Sequence, residues 1–124
     1  MQTIQQQRAK FALQKVQSAA KSQNVDHAEY KSYASALPAM IHINGLGQAA
    51  AFYKAKGGTH ELLYNLLSEW LTKQPDQPYT NAAGKDLIAC IVSSDMATYK
   101  LAQTEAQALM DWVKKFAKAY MAED

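Results

Sequence analysis

Residues 37–56, LPAMIHINGLGQAAAFYKAK, decide the fold. Met40, Ile41, Ile43, Leu46, Ala49, Ala50, Ala51, Phe52 and Tyr53 cover nearly every side of a helical wheel, which places the segment in the middle of a helical bundle. Pro38 disfavours helical geometry at Leu37 but suits the first turn of a new helix, so a helix is expected from Pro38 to Lys56. Gly45 and Gly47 fall inside it, each costing about 1 kcal/mol against alanine, which is tolerable where neighbouring backbones come close. Gly57 and Gly58 end it as a left-handed C-terminal cap does. Asn44 and Gln48, polar side chains in this apolar setting, are expected to satisfy buried hydrogen bonds, because an unpaired buried amide costs on the order of 1 to 3 kcal/mol.

Working outward, helical spacing recurs along the chain while short period-2 runs of β-branched residues are missing, so the expected class is all-α, a compact bundle of five to six helices. A first helix is expected from about Thr3 to Gln23, with Ala9, Ala12, Leu13, Val16 and Ala20 on its core stripe. Asp26 followed by Glu29 resembles a capping box opening a short second helix through Tyr30, Tyr33 and Ala36 that stops near Leu37. After the central helix, Thr59 can cap a fourth, with Leu62, Leu63, Leu66, Leu67 and Trp70 at i, i+4 spacing, ending before Pro75. Lys73 to Thr80, with Pro75 and Pro78, reads as a loop, and Asp86 to Val92 as a fifth helix. A sixth runs from about Asp95, carrying Tyr99, Ala102, Ala106, Leu109, Val113, Phe116 and Tyr120 in register.

A chain of 124 residues fits one domain, 1–124, able to bury roughly two thirds of the surface its unfolded form exposes. No run approaches the roughly 20 apolar residues of a membrane span, so no membrane partner is expected and a cytoplasmic setting is the default. Cys90 is the only cysteine, which excludes an internal disulfide and a thiolate metal cage. The net charge of +2 hides an asymmetry. Residues 1–60 hold Arg8, Lys10, Lys15, Lys21, Lys31, Lys54 and Lys56 against Asp26 and Glu29, a net of +5; the remainder sets six lysines against nine acids, a net of −3. A basic half and an acidic half suit an anionic partner on one side or self-complementary stacking, and a solvated basic face is an equal alternative.

Catalytic chemistry finds no support. His27, His42 and His60 are not paired at i, i+4 and no carboxylate–histidine cluster accompanies them, so no metal and no cofactor are expected. Cys90 lies among Leu87, Ile88, Ile91 and Val92, an apolar setting that leaves a thiol inert. Gly45 and Gly47 sit within a helix and not after a strand, and Ser93, Ser94 and Asp95 read as capping residues with no partnered histidine. Binding is better served. Ile4, Arg8, Phe11 and Lys15 share a face of the first helix apart from its core stripe, a mixture that suits stacking on bases and neutralising phosphates, or packing on a second helix with snorkelling chains. Lys54 and Lys56 close the central helix, where cations also complement the helix dipole. Trp112 and Leu101 lie beside the main stripe of the last helix, at the core's edge or in reach of another protein.

The same stretch carries a resemblance. Leu37, Pro38, Met40 and Ile41, then Asn44, Gly45, Leu46 and Gln48, then Ala51, Phe52 and Tyr53 resemble the hallmark segment of the small subunit of the type III-B CRISPR effector, the Cmr complex. The Arg8-Ala9 pair with Val16, and Tyr30 and Tyr33 ahead of the Leu-Pro pair, agree with it. The Leu-Pro-x-Met-Ile and Asn-Gly-Leu-Gly-Gln runs favour this family over the small subunit of the related Csm type; a stand-alone helical adaptor is the reading from another class. The resemblance implies a non-catalytic helical bundle that stacks on copies of itself along a filament of larger backbone subunits and meets the guide RNA or target RNA by shape and charge. On that reading Arg8, Lys15, Lys54 and Lys56 are the candidate RNA-binding residues, and Phe11 and Trp112 the candidate subunit-interface residues.

Overall fold

Six helices carry the chain: α1 Ile4–Lys21, α2 His27–Asn44, α3 Leu46–Lys56, α4 Gly58–Lys73, α5 Leu87–Ser93 and α6 Met96–Tyr120. They are seen in a computed structural model that describes residues 1–82 and 84–121; no strand occurs among the described residues. The long α6 is the spine. α1 and α2 lie along it, α3 packs between α2 and α4, and the short α5 closes the end between α3 and α4.

The starts of the helices follow from their caps. Thr3 and Gln6 form a reciprocal capping box, and the side chains of Asp26, Asp86 and Asp95 accept from the amides of Glu29, Ala89 and Thr98. Thr59, expected as a cap, lies inside α4; the cap is Gly57, with φ 68°, and the Thr59 hydroxyl donates to Glu29 Oε1 at 2.9 Å. That bond ties the first turn of α4 to the first turn of α2.

The expected boundary at Pro38 is corrected. α2 runs through Leu37 and Pro38 to Asn44, and the break comes at Gly45, whose φ of 87° and ψ of 158° end α2 and begin α3. A proline inside a helix costs about 3 kcal/mol. Here Leu37, Pro38 and Ile41 are all buried, and each fully buried aliphatic side chain returns about 1.5 to 3 kcal/mol. Gln107 Nε2 of α6 donates to the Pro38 carbonyl at 2.9 Å. Tertiary packing therefore overrides the local preference, and the backbone turns where glycine alone is at ease.

The core draws on all six helices. Phe11, Ala12 and Val16 of α1 meet Ala102, Ala106, Leu109, Met110, Val113 and Ala117 of α6, while Leu63, Tyr64, Leu67, Trp70 and Leu71 of α4 close the other side with Cys90 of α5. Cys90 is buried, and burial pushes its thiol up, so it stays protonated.

Two expectations for the central segment fail. Its outer side is open: Ile43, Asn44, Gln48, Ala51, Phe52 and Ala55 are exposed, and Leu46, Ala49, Ala50 and Tyr53 alone supply α3's share of the core. Asn44 and Gln48 consequently face water and satisfy no buried hydrogen bond. The amides opened at the break are met from α6 instead. Gln103 Oε1 accepts from Leu46 N and the Tyr99 hydroxyl from Gly47 N, both at 2.9 Å.

Candidate nucleic-acid interface

The candidate cations sit on two helices. Residues 1–25 contain no acid, so α1 carries Arg8, Lys10, Lys15 and Lys21 with nothing of opposite sign in its own sequence. Its carboxylate partners come from other helices.

Arg8 turns inward. Nε and Nη2 donate to Glu105 Oε1 and Oε2 at 2.6 and 2.8 Å, a bidentate pair, and Trp70 Nε1 donates to the same Oε1 at 2.8 Å. Burial alone would push the Glu105 carboxyl up. The two donors and the guanidinium charge outweigh it and hold the group below its ordinary range, while the same bond raises Arg8 further. This arrangement joins α1, α4 and α6 at one point and makes Arg8 a residue of the fold. Phe11 lies inward as well: it is 7% exposed, and its ring lies 4.9 Å from that of Trp70, within the core.

The other three cations stay at the surface with lighter ties. Lys15 Nζ lies 2.5 Å from Glu69 Oε2 and 5.5 Å from the Phe11 ring centroid. Lys54 sits 3.7 Å from Glu61 and 4.9 Å from the Tyr64 centroid. Lys56 lies 5.4 Å from the centroid of the exposed Phe52 ring. Exposed pairs of this kind are worth about 0 to 1 kcal/mol. Beside Phe52, His60 stacks on Tyr33 at 3.7 Å and meets Tyr53 edge-on; burial and the Lys56 charge lower its pKa against the opposing pull of Glu29. No spacing rule announced this aromatic group, because its members come from α2, α3 and α4.

On α6 Trp112 is half-buried, stacked on Phe116 at 5.4 Å, and Phe116 leads to the exposed Tyr120. Leu101 is 65% exposed and contributes nothing to the core. Among the described residues no three histidine, cysteine, aspartate or glutamate side chains gather as a metal ion requires, and no helix is long and apolar enough to cross a membrane.

Known proteins share this fold. Residues 4–120 match the family described as CRISPR-associated protein (Cas_Cmr5). The CRISPR system Cmr subunit Cmr5 of Thermus thermophilus is 31% identical over 124 residues, covering 99% of this chain and all of that protein. The X-ray crystal structure of a CRISPR-associated Cmr5 family protein from the same organism superposes with a TM-score of 0.79 at 27% identity, covering 98% of this chain and all of that one. The chain belongs to the Cmr5 family of CRISPR-associated proteins.

Proposed function

We propose that this chain is the non-catalytic small subunit of an RNA-guided, RNA-targeting Cmr effector in the cytoplasm, where it stacks on copies of itself beside the backbone subunit and helps hold the target RNA or the guide–target duplex. The observation that carries the reading is the family match across nearly the whole chain, to a protein that is itself a Cmr subunit. The acid-free α1 and the lysines at the end of α3 support the RNA side of it. Base pairing with the guide supplies sequence information in such an assembly, so the protein has only backbone shape and charge to read.

With Arg8 closed into its pair with Glu105, phosphate contact falls to Lys54 and Lys56, with Lys15 available if Glu69 releases it. Trp112, continued by Phe116 and Tyr120, is the assigned contact to a neighbouring subunit. The test is target-RNA binding by the assembled complex carrying Lys54→Ala and Lys56→Ala. Affinity should fall, and the slope of log K against log salt should flatten by about 0.7 for each lost single-strand contact. Unchanged binding with normal assembly removes both lysines from the interface.

A further inference from the structure

α1 and α4 both pack on α6 and meet through Phe11 against Trp70 and Lys15 against Glu69, and along this seam lies a groove of about 770 Å³. Past the Lys15–Glu69 pair, which bridges it, the groove continues into a second hollow of about 330 Å³ that shares Lys15, Ser18 and Glu69. Ligand sites of roughly 300 to 1,000 Å³ are usually closed, mostly apolar pockets. This one is open, lined largely by polar side chains and continued by the second hollow, so it suits an extended polar ligand better than an enclosed small molecule.

Its chemistry selects the ligand. Lys10 on the α1 wall and Lys73 on the α4 wall are exposed, and among the described residues neither has an ion-pair partner. Glu69 would repel an anion, but Lys15 already neutralises it; Asp76, next to Pro75, also lines the groove and leaves three cations against two acids. Gln7 and Gln14, one turn to either side of Lys10 on the same wall, add amide donors without charge. The aromatic rings beneath, Phe11 and Trp70, are 7% and 3% exposed and leave no face for a base to stack on. Cations and amides at the rim over a closed aromatic floor suit phosphates and sugars, not bases.

We propose that the α1/α4 groove seats the phosphodiester backbone of a single RNA strand, held between Lys10 and Lys73. This rests on the RNA-binding reading above and assigns it to residues other than Lys54 and Lys56. The neutralised Glu69 sets a ceiling on affinity, since its charge is exposed whenever Lys15 turns to the phosphate.

Fluorescence anisotropy of a labelled mixed-sequence single-stranded RNA, titrated with the full chain at several salt concentrations, tests it. Lys10→Ala with Lys73→Ala should weaken binding severalfold and reduce the salt slope by about 1.4, at about 0.7 for each lost contact. Lys100→Ala with Lys115→Ala, an equal loss of exposed charge on α6 outside the groove, should leave the slope nearly unchanged. Glu69→Gln should tighten binding, a gain that misfolding cannot mimic. Equal losses from the two double variants, or no loss from Lys10→Ala with Lys73→Ala while the wild type binds, overturn the groove alone. A wild-type chain that binds no RNA, isolated or assembled, overturns the RNA-binding reading with it. Protection of α1 and α4 amides from hydrogen exchange on assembly, before RNA is added, identifies a protein occupant and also overturns the proposal.

Discussion

Arg8 and Glu105, 97 residues apart, share two parallel hydrogen bonds, and the same carboxylate takes the indole N–H of Trp70. Removing the guanidinium leaves a largely buried carboxylate with one donor. Hydrogen bonds to charged groups contribute about 1.5 to 3 kcal/mol, and some of the Arg8 side chain stays in water, so Arg8→Ala is expected to cost about 2 kcal/mol. Arg8→Lys keeps the charge but loses the fork, and should cost about half as much. Urea unfolding midpoints at neutral pH measure both.

The same pair gives stability an acid limit. Glu105 is held below its ordinary value of 4.5 in the folded chain, so the unfolded chain binds the proton more readily. The stabilisation is complete above the unfolded carboxyl's range and is lost as pH falls through the lower folded value. Asp86 adds to this, held down first by the Tyr64 hydroxyl, which donates to it at 2.8 Å. Unfolding midpoints from pH 6 down to 3 should therefore fall more steeply in the wild type than in Glu105→Gln. Parallel curves would show that the pair carries no net linkage.

Gly45 and Gly47 look alike in sequence and differ in kind. Gly45 holds a backbone conformation nearly exclusive to glycine, and an added Cβ would lie 3.3 Å from the Tyr99 hydroxyl oxygen, so Gly45→Ala should destabilise by about 2 kcal/mol. Gly47 is helical, and its added Cβ would meet Ile91 Cγ2 at 3.4 Å. The helix-propensity gain of about 1 kcal/mol offsets that crowding, and Gly47→Ala should stay within about 0.5 kcal/mol of the wild type. Thermal unfolding of the two variants side by side distinguishes them.

Tyr99 and Gln103 act as caps supplied from another helix. α3 has no side-chain cap of its own, and its first amides bond to these two α6 residues. Tyr99→Phe and Gln103→Leu should each cost about 1 kcal/mol, the usual worth of a helix cap. Hydrogen exchange at the Leu46 and Gly47 amides should accelerate in the matching variant and not in the other.

Much of the fold was legible because periodicity is local. The stripe of α6, the aspartate caps of α2 and α6, and the glycine stop at Gly57 follow from spacing and side-chain chemistry alone. What local rules misplaced depends on distant partners. Pro38 stays helical because α6 packs over it, and Gly45 breaks because Tyr99 and Gln103 receive the freed amides. The candidate site suffered more for the same reason. A wheel puts Arg8 and Phe11 on an outer face, but Glu105 and Trp70 arrive from elsewhere in the chain and turn that face inward. The segment that carries the family resemblance is likewise only half core: Asn44, Gln48, Ala51 and Phe52 are at the surface, where bundle packing gives no reason for them.

Equilibrium binding of a target RNA by the Cmr complex assembled with and without this chain, across a range of salt, tests the central claim most directly. The account predicts tighter binding and a steeper salt dependence when the chain is present, with the cleaving activity of the complex unchanged in kind. Equal affinity and equal slope in the two assemblies would contradict it.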